Sequence, residues 1–115
     1  MVTKFNEIKS IDVTAPRGGK GTGKSSPYNM LYNLDGKIKA LNKMRLDDNS
    51  AIGIHQHTED LEIYIITDGE GLYNDNGVEV RVTKGDATMC PKGEIHSIEA
   101  KNGALEFIAV IIEER

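Results

Sequence analysis

Tryptophan is absent from the 115 residues, and phenylalanine occurs only twice. A core built without these bulky rings must rest on aliphatic side chains. A single cysteine, Cys90, excludes an intrachain disulfide and, next to Pro91, reads as a buried inert thiol. No apolar run approaches the ~18 residues needed to span a bilayer. The segment Met1–Lys9 carries no apolar stretch of the kind a secretion signal requires. The expected setting is therefore cytoplasmic, with no membrane partner. Cationic residues are in deficit as well: 14 Lys and Arg against 18 Asp and Glu give a net charge of -4. Phosphate binding needs a basic excess, so a nucleic-acid partner is not expected. Histidine is scarce, at three residues, and this makes its placement informative.

What the chain does have is 12 glycines, many β-branched residues and a period of two. In 37–46 the positions Ile38, Ala40, Asn42, Met44 and Leu46 alternate with Lys37, Lys39, Leu41, Lys43 and Arg45, a strand with one wet face. Turn signals follow at Asp47–Ser50, Asp75–Gly77, Lys84–Asp86, Pro91–Gly93 and Asn102–Gly103. They separate strands over 51–57, 61–67, 78–83, 87–90, 95–100 and 104–112. No segment shows a 3.6 period. Strands broken by turns every eight to twelve residues predict an all-β, antiparallel sandwich or closed barrel. The chain divides into an N-terminal arm with a basic, mobile Gly-rich loop (1–36) and a β-barrel (37–115), together one domain. Two strands are apolar on both faces. In one, Leu61, Ile63 and Ile65 oppose Glu62, Tyr64 and Ile66; in the other, Ile108, Val110 and Ile112 oppose Leu105, Phe107, Ala109 and Ile111. A small barrel has one interior, so the second apolar face predicts a homodimer.

All three histidines fall in one pattern with a glutamate. His55 and His57 form an H-x-H pair, and residues i and i+2 of a strand share a face. Glu62 opens the next strand after a short loop. His96 follows the Pro91–Gly93 turn. Three imidazoles and one carboxylate are the donor set of a divalent transition metal.

Written out, the pattern is His55-x-His57-x4-Glu62-x6-Gly69 followed by Gly85-x5-Pro91-x-Gly93-x2-His96. Together these motifs resemble those of the cupin family. The opening glycine and closing asparagine of the family's pattern fall at Asn49 and Ala100 here. The resemblance implies a cupin-type jelly-roll β-barrel, six to eight strands per sheet, with one metal, Mn, Fe, Ni, Co or Zn, held in its mouth by His55, His57, Glu62 and His96. It also implies positions on the ion left open for the oxygens of a small ligand.

Tyr64 shares the face of Glu62, as in some cupin lyases with a tyrosine at this step, and is the candidate catalytic acid/base; packing or substrate positioning is its alternative role. Asn42 and Met44 point inward on their strand and are candidate substrate-pocket residues; Met30 and Met89 are further lining candidates. Glu59 and Asp60 read as solvated loop residues, and Glu94 as either a partner for His96 or a surface residue. Gly18–Ser25 fits the Walker A pattern G-x-x-x-x-G-K-S, but Pro27 denies it the helix that phosphate binding requires. It reads instead as a cationic loop whose lysines, with Arg17, attract an acidic ligand. The expected function is that of a metal-dependent enzyme acting on a small oxygen-rich carboxylate or sugar-like molecule, by lyase, isomerase, decarboxylase or dioxygenase chemistry. The alternative is a non-catalytic metal-dependent binding or sensor module.

Overall fold

The computed structural model describes residues 2–28 and 36–114. Met30, a lining candidate, lies outside them. Eight strands are present: β1 (Ile11–Thr14), β2 (Thr22–Pro27), β3 (Ile38–Leu46), β4 (Ala51–Gln56), β5 (Asp60–Asp75), β6 (Val78–Thr83), β7 (Ala87–Cys90) and β8 (Ile95–Glu113). All pairings are antiparallel, in the order β1-β2-β3-β8-β5-β6, with β4 joined to β8 and β7 to β5. Among the described residues this is a jelly-roll of eight strands, and its hydrogen-bonded ladder does not close into a ring.

The two long strands make the architecture. The first half of β5 pairs with β7 and with the second half of β8. The second half of β5 pairs with β6 and with the first half of β8. Two layers result: β3, β7, the first half of β5 and the second half of β8 form one, and β4, β6, the second half of β5 and the first half of β8 form the other. Each long strand bends once, and each bend changes which residues face inward. Along β5 the buried positions are Asp60, Glu62, Tyr64 and Ile66, then Gly71 and Tyr73. Along β8 they are His96, Ile98 and Ala100, then Leu105, Phe107 and Ala109. The switch in β5 coincides with register shifts between Ile66 and Glu70. Here Gly69 adopts φ 81° and a Cβ would collide with the Ala104 carbonyl, so the two bends pack together only because this residue is glycine. The turn expected at Asn102–Gly103 is instead a bend within continuous β8, with Asn102 at φ 57°. Asn49 adopts φ 61°, a left-handed conformation that asparagine tolerates well.

Residues from both layers form one apolar core, including Leu46, Ile52, Ile66, Val82, Ile98, Leu105 and Phe107. Tyr64 lies at its centre, with ring centroids 4.5 Å from Phe107 and 6.2 Å from Tyr73. Such aromatic pairs add about 0.5–1.5 kcal/mol each beyond the area they bury.

The basic Gly-rich segment is part of the sheet. Thr22–Ser25 lies within β2, which pairs with β1 on one side and β3 on the other. Lys24 ion-pairs with Asp12 at 2.6 Å. A strand flanked by antiparallel neighbours is not a phosphate-binding loop, and the Walker pattern is met by sequence alone.

Candidate metal centre

The four sequence-matched donors converge. His55, His57, Glu62 and His96 present ligand atoms that all lie within 4.8 Å of one another. His55 and His96 are directly opposed across β4 and β8. His57 sits one residue beyond β4, and backbone bonds anchor it to the Pro91–Glu94 turn: its N–H donates to the Glu94 carbonyl at 3.2 Å, and its own carbonyl accepts from Gly93 at 2.6 Å. Glu62 reaches the cluster from β5. His57, Glu62 and His96 are buried.

Each imidazole is held by its Nδ1. That of His55 donates to the Gly53 carbonyl at 2.8 Å. That of His57 donates to Asp60 Oδ1 at 2.6 Å. That of His96 pairs with the Tyr73 hydroxyl at 2.8 Å. The three Nε2 atoms therefore face inward. His96 Nε2 lies 3.0 Å from His55 Nε2, 3.1 Å from His57 Nε2 and 3.1 Å from Glu62 Oε1. Glu62 Oε1 is 3.2 Å from His57 Nε2 and 3.8 Å from His55 Nε2. Metal–ligand bonds near 2.1 Å set adjacent ligands of one ion about 3.0 Å apart, so the spacing suits a shared cation. Proton counting points the same way. With Nδ1 protonated on neutral His55 and His57, their Nε2 atoms and Glu62 are all acceptors. One proton on His96 cannot satisfy three acceptors, whereas a cation can.

Burial works to raise the Glu62 pKa, but the surrounding imidazoles of His55, His96 and His57 prevail and hold it at about 2. The carboxylate is thus ionised and ready to bind a cation. Burial lowers the His96 pKa, favouring the neutral imidazole that a metal needs.

The supports of the histidines were partly hidden in the sequence. Asp60, expected to be solvated, is buried and braces His57; Lys39 in turn ion-pairs with Asp60 at 2.6 Å and with Glu113 at 3.4 Å. Glu94 is not the partner of His96: Tyr73 is. An aspartate five residues after the first ligand histidine was a usable signal. Tyr73 was masked, because the bend at Gly69 switches the inward parity of β5.

A cavity of about 200 Å³ opens beside the cluster. Glu62, Tyr64 and His55 line it, as do Asn42 and Met44, the two residues expected there. Asn42 Nδ2 also makes a long bond to Ser25 Oγ at 3.4 Å. Tyr64 is buried and stacks on His96, with centroids 5.1 Å apart and planes 21° off parallel. Burial, reinforced by the charge of Glu62, raises its pKa well above that of a free phenol. The Cys90 thiol is pushed up to about 11, chiefly by burial, and is inert at neutral pH. Among the described residues no helix is long and apolar enough to cross a membrane.

A two-layer jelly-roll with three histidines and a carboxylate converging beside a small cavity defines a class of metal-site β-proteins. Residues 42–111 match the family model for the cupin domain, and the chain belongs to the cupin family. It is 38% identical to the oxalate-binding protein of Thermotoga maritima over 97% of this chain and 93% of that one. A crystal structure from Thermotoga maritima, described as a predicted oxalate decarboxylase, superposes with a TM-score of 0.94 at 38% identity, covering 98% of this chain and 99% of that one. KdgF from Halomonas sp. shares the fold at a TM-score of 0.80 and 17% identity, over 100% of this chain and 96% of that one.

Proposed function

We propose that this protein is a metal-dependent cupin that takes a small carboxylate against one divalent ion held by His55, His57, Glu62 and His96. The observation that carries the reading is the convergence of three Nε2 atoms and Glu62 Oε1, with every Nδ1 engaged elsewhere. Mn, Fe, Co, Ni and Zn all suit such a donor set. When bound, the ion supplies Lewis-acid polarisation of ligand oxygens. The likeness to a protein named for oxalate binding supports a carboxylate over a sugar.

The chain's own groups then position the ligand. Asn42 offers an amide to its oxygens, and Met44 gives the cavity an apolar wall. Tyr64 is a neutral phenol at neutral pH, so its role in a reaction is that of a proton donor rather than a base. In decarboxylation the bond to the departing carboxylate breaks, carbon dioxide leaves, and a proton from such a donor takes its place on the remaining carbon. Binding without turnover is the second reading, favoured by the relative's name.

Assembly belongs to the same reading. The outer face of the layer built on β3, β8, β5 and β7 carries Leu41, Val110, Ile63 and Met89 in one register row, with Ile108 and Ile65 in the next. A second copy of the chain covers this face in a homodimer.

The test is elemental analysis of untagged protein, then calorimetric titration of metal-loaded protein with oxalate and product analysis. Metal near one equivalent, with oxalate binding lost in His57→Ala, supports the reading. No uptake of any of the five metals overturns it; release of carbon dioxide or formate separates enzyme from binder.

A further inference from the structure

We infer that the cavity is built for a dianion, a short-chain diacid, and that Arg17 receives the carboxylate that the metal does not. The inference rests on the function proposed above and names the substrate class within it. Among the described residues Arg17 is the one Lys or Arg side chain lining the cavity, together with Glu62, His55 and Asn42. It comes from the opposite end of the chain, in the turn Pro16–Gly18 between β1 and β2. That turn is seated on the histidine-bearing strand. Lys20 and Ala51 exchange backbone hydrogen bonds at 3.1 and 2.8 Å. At Gly53 a Cβ would collide with the Arg17 carbonyl oxygen, so close is the approach. The backbone at Arg17 is left-handed, at φ 54°, as it is at Ala15, at φ 44°. A residue that needs no special conformation would be expected there if the position served only to turn the chain.

Among the described residues no carboxylate pairs with Arg17, whereas Lys20, Lys24, Lys39, Arg45 and Arg81 all have acidic partners. The guanidinium is therefore free for a ligand. Charge then decides the class. A divalent ion, three neutral imidazoles and the Glu62 carboxylate carry one net positive charge, and Arg17 adds a second. The cavity would hold roughly seven waters, which suits a small acid. A monocarboxylate neutralises only half of this charge and leaves the guanidinium unpaired. A diacid places one carboxylate on the metal and offers the other to the Arg17 fork.

The experiment is calorimetry on manganese-loaded protein with oxalate, malonate, succinate and acetate, in wild type, Arg17→Asn and Arg17→Lys. Asparagine tolerates the left-handed backbone and keeps the turn. Metal content is measured on each sample. The expected result is unchanged manganese in both variants, with affinity for the preferred diacid reduced about 10–100-fold in Arg17→Asn. Arg17→Lys should lie between them, and acetate should bind all three alike. Diacid affinity within twofold of wild type in Arg17→Asn overturns the inference, as does a wild type that binds acetate as tightly as every diacid. In both of those outcomes the metal-dependent carboxylate site stands. Where manganese is not taken up, another of the five metals is loaded in its place; uptake of none of them, or binding of none of the four acids, overturns the inference and the proposed function together.

Discussion

His57 donates its Nδ1 proton to Asp60 Oδ1 across 2.6 Å, and this bond determines which nitrogen of His57 faces the centre of the cluster. Burial opposes ionisation of Asp60, but its bonds to Lys39 and His57 lower its pKa. The carboxylate is thus a fixed negative anchor that orients His57 for the role of metal ligand proposed above. Asp60→Ala should therefore lower metal affinity about 10–100-fold while the fold survives. Asp60→Asn keeps an acceptor and should lose less. Competition against a chromophoric chelator reads both values, and equal affinity in wild type and Asp60→Ala would remove the role assigned to this bond.

Acid should destabilise the metal-free protein in two stages. The folded-state pKa of His96 is lowered by burial, so below about pH 6.5 the unfolded chain binds a proton that the folded chain resists. Stability then falls as pH drops. Glu62 adds a second loss: its pKa is 4.5 when unconstrained and about 2 in the fold. Its contribution is complete above pH 4.5 and disappears as pH falls towards 2, an effect of up to about 3 kcal/mol. Thermal melts of chelator-stripped protein from pH 7 to pH 3 should show Tm declining throughout. Glu62→Gln should flatten the part below pH 4.5, and an unchanged slope there would assign the acid sensitivity to other groups.

Much of this site could be read in the sequence, because ligands carried by strands obey a period of two. His55, His57, Glu62 and Tyr64 follow that period, and so do Asn42 and Met44 on β3. The inward set Leu105, Phe107 and Ala109 was equally legible. What could not be read is everything beyond a change of parity. Tyr73 faces the site only because β5 bends at Gly69, a tertiary event set by the packing of Gly69 on Ala104. Asp60 looked solvated because its loop is polar; it is buried because His57 and Lys39 both bond to it. The Gly-rich segment looked mobile for its composition, yet it lies between two strands that satisfy its backbone.

Gly53 links the N-terminal turn to the strand that carries His55. A methyl group there meets the Arg17 carbonyl and the backbone of Gly18 and Gly19, none of which can yield without moving the turn. Gly53→Ala should cost about 1–3 kcal/mol, as overpacking of a tight contact does. In a domain of this size that lowers Tm by several degrees. The same variant should disturb the Nδ1 bond of His55 to the Gly53 carbonyl and weaken metal binding. A Tm equal to wild type by calorimetry would mean that the turn is not seated on β4 in solution.

The outer apolar face sets the last expectation. Ile65 is 44% exposed and Met89 53% exposed in the single chain, and their neighbours Ile63, Val110 and Ile108 are only partly covered. Contiguous apolar surface of this kind is uncommon on a monomer and disfavours a solitary chain in water. The face alternates strictly with the residues that line the cavity, so charge placed on it leaves Glu62, Tyr64 and Phe107 untouched. Size-exclusion chromatography with light scattering should report a dimer at micromolar concentration. The double variant Ile65→Lys, Met89→Lys should run as a folded monomer, because two buried ammonium groups per protomer leave the interface unable to form. Its metal content should match that of wild type. A wild-type monomer at the same concentration would exclude the dimer, and a dimer that survives the double substitution would place the interface on another surface.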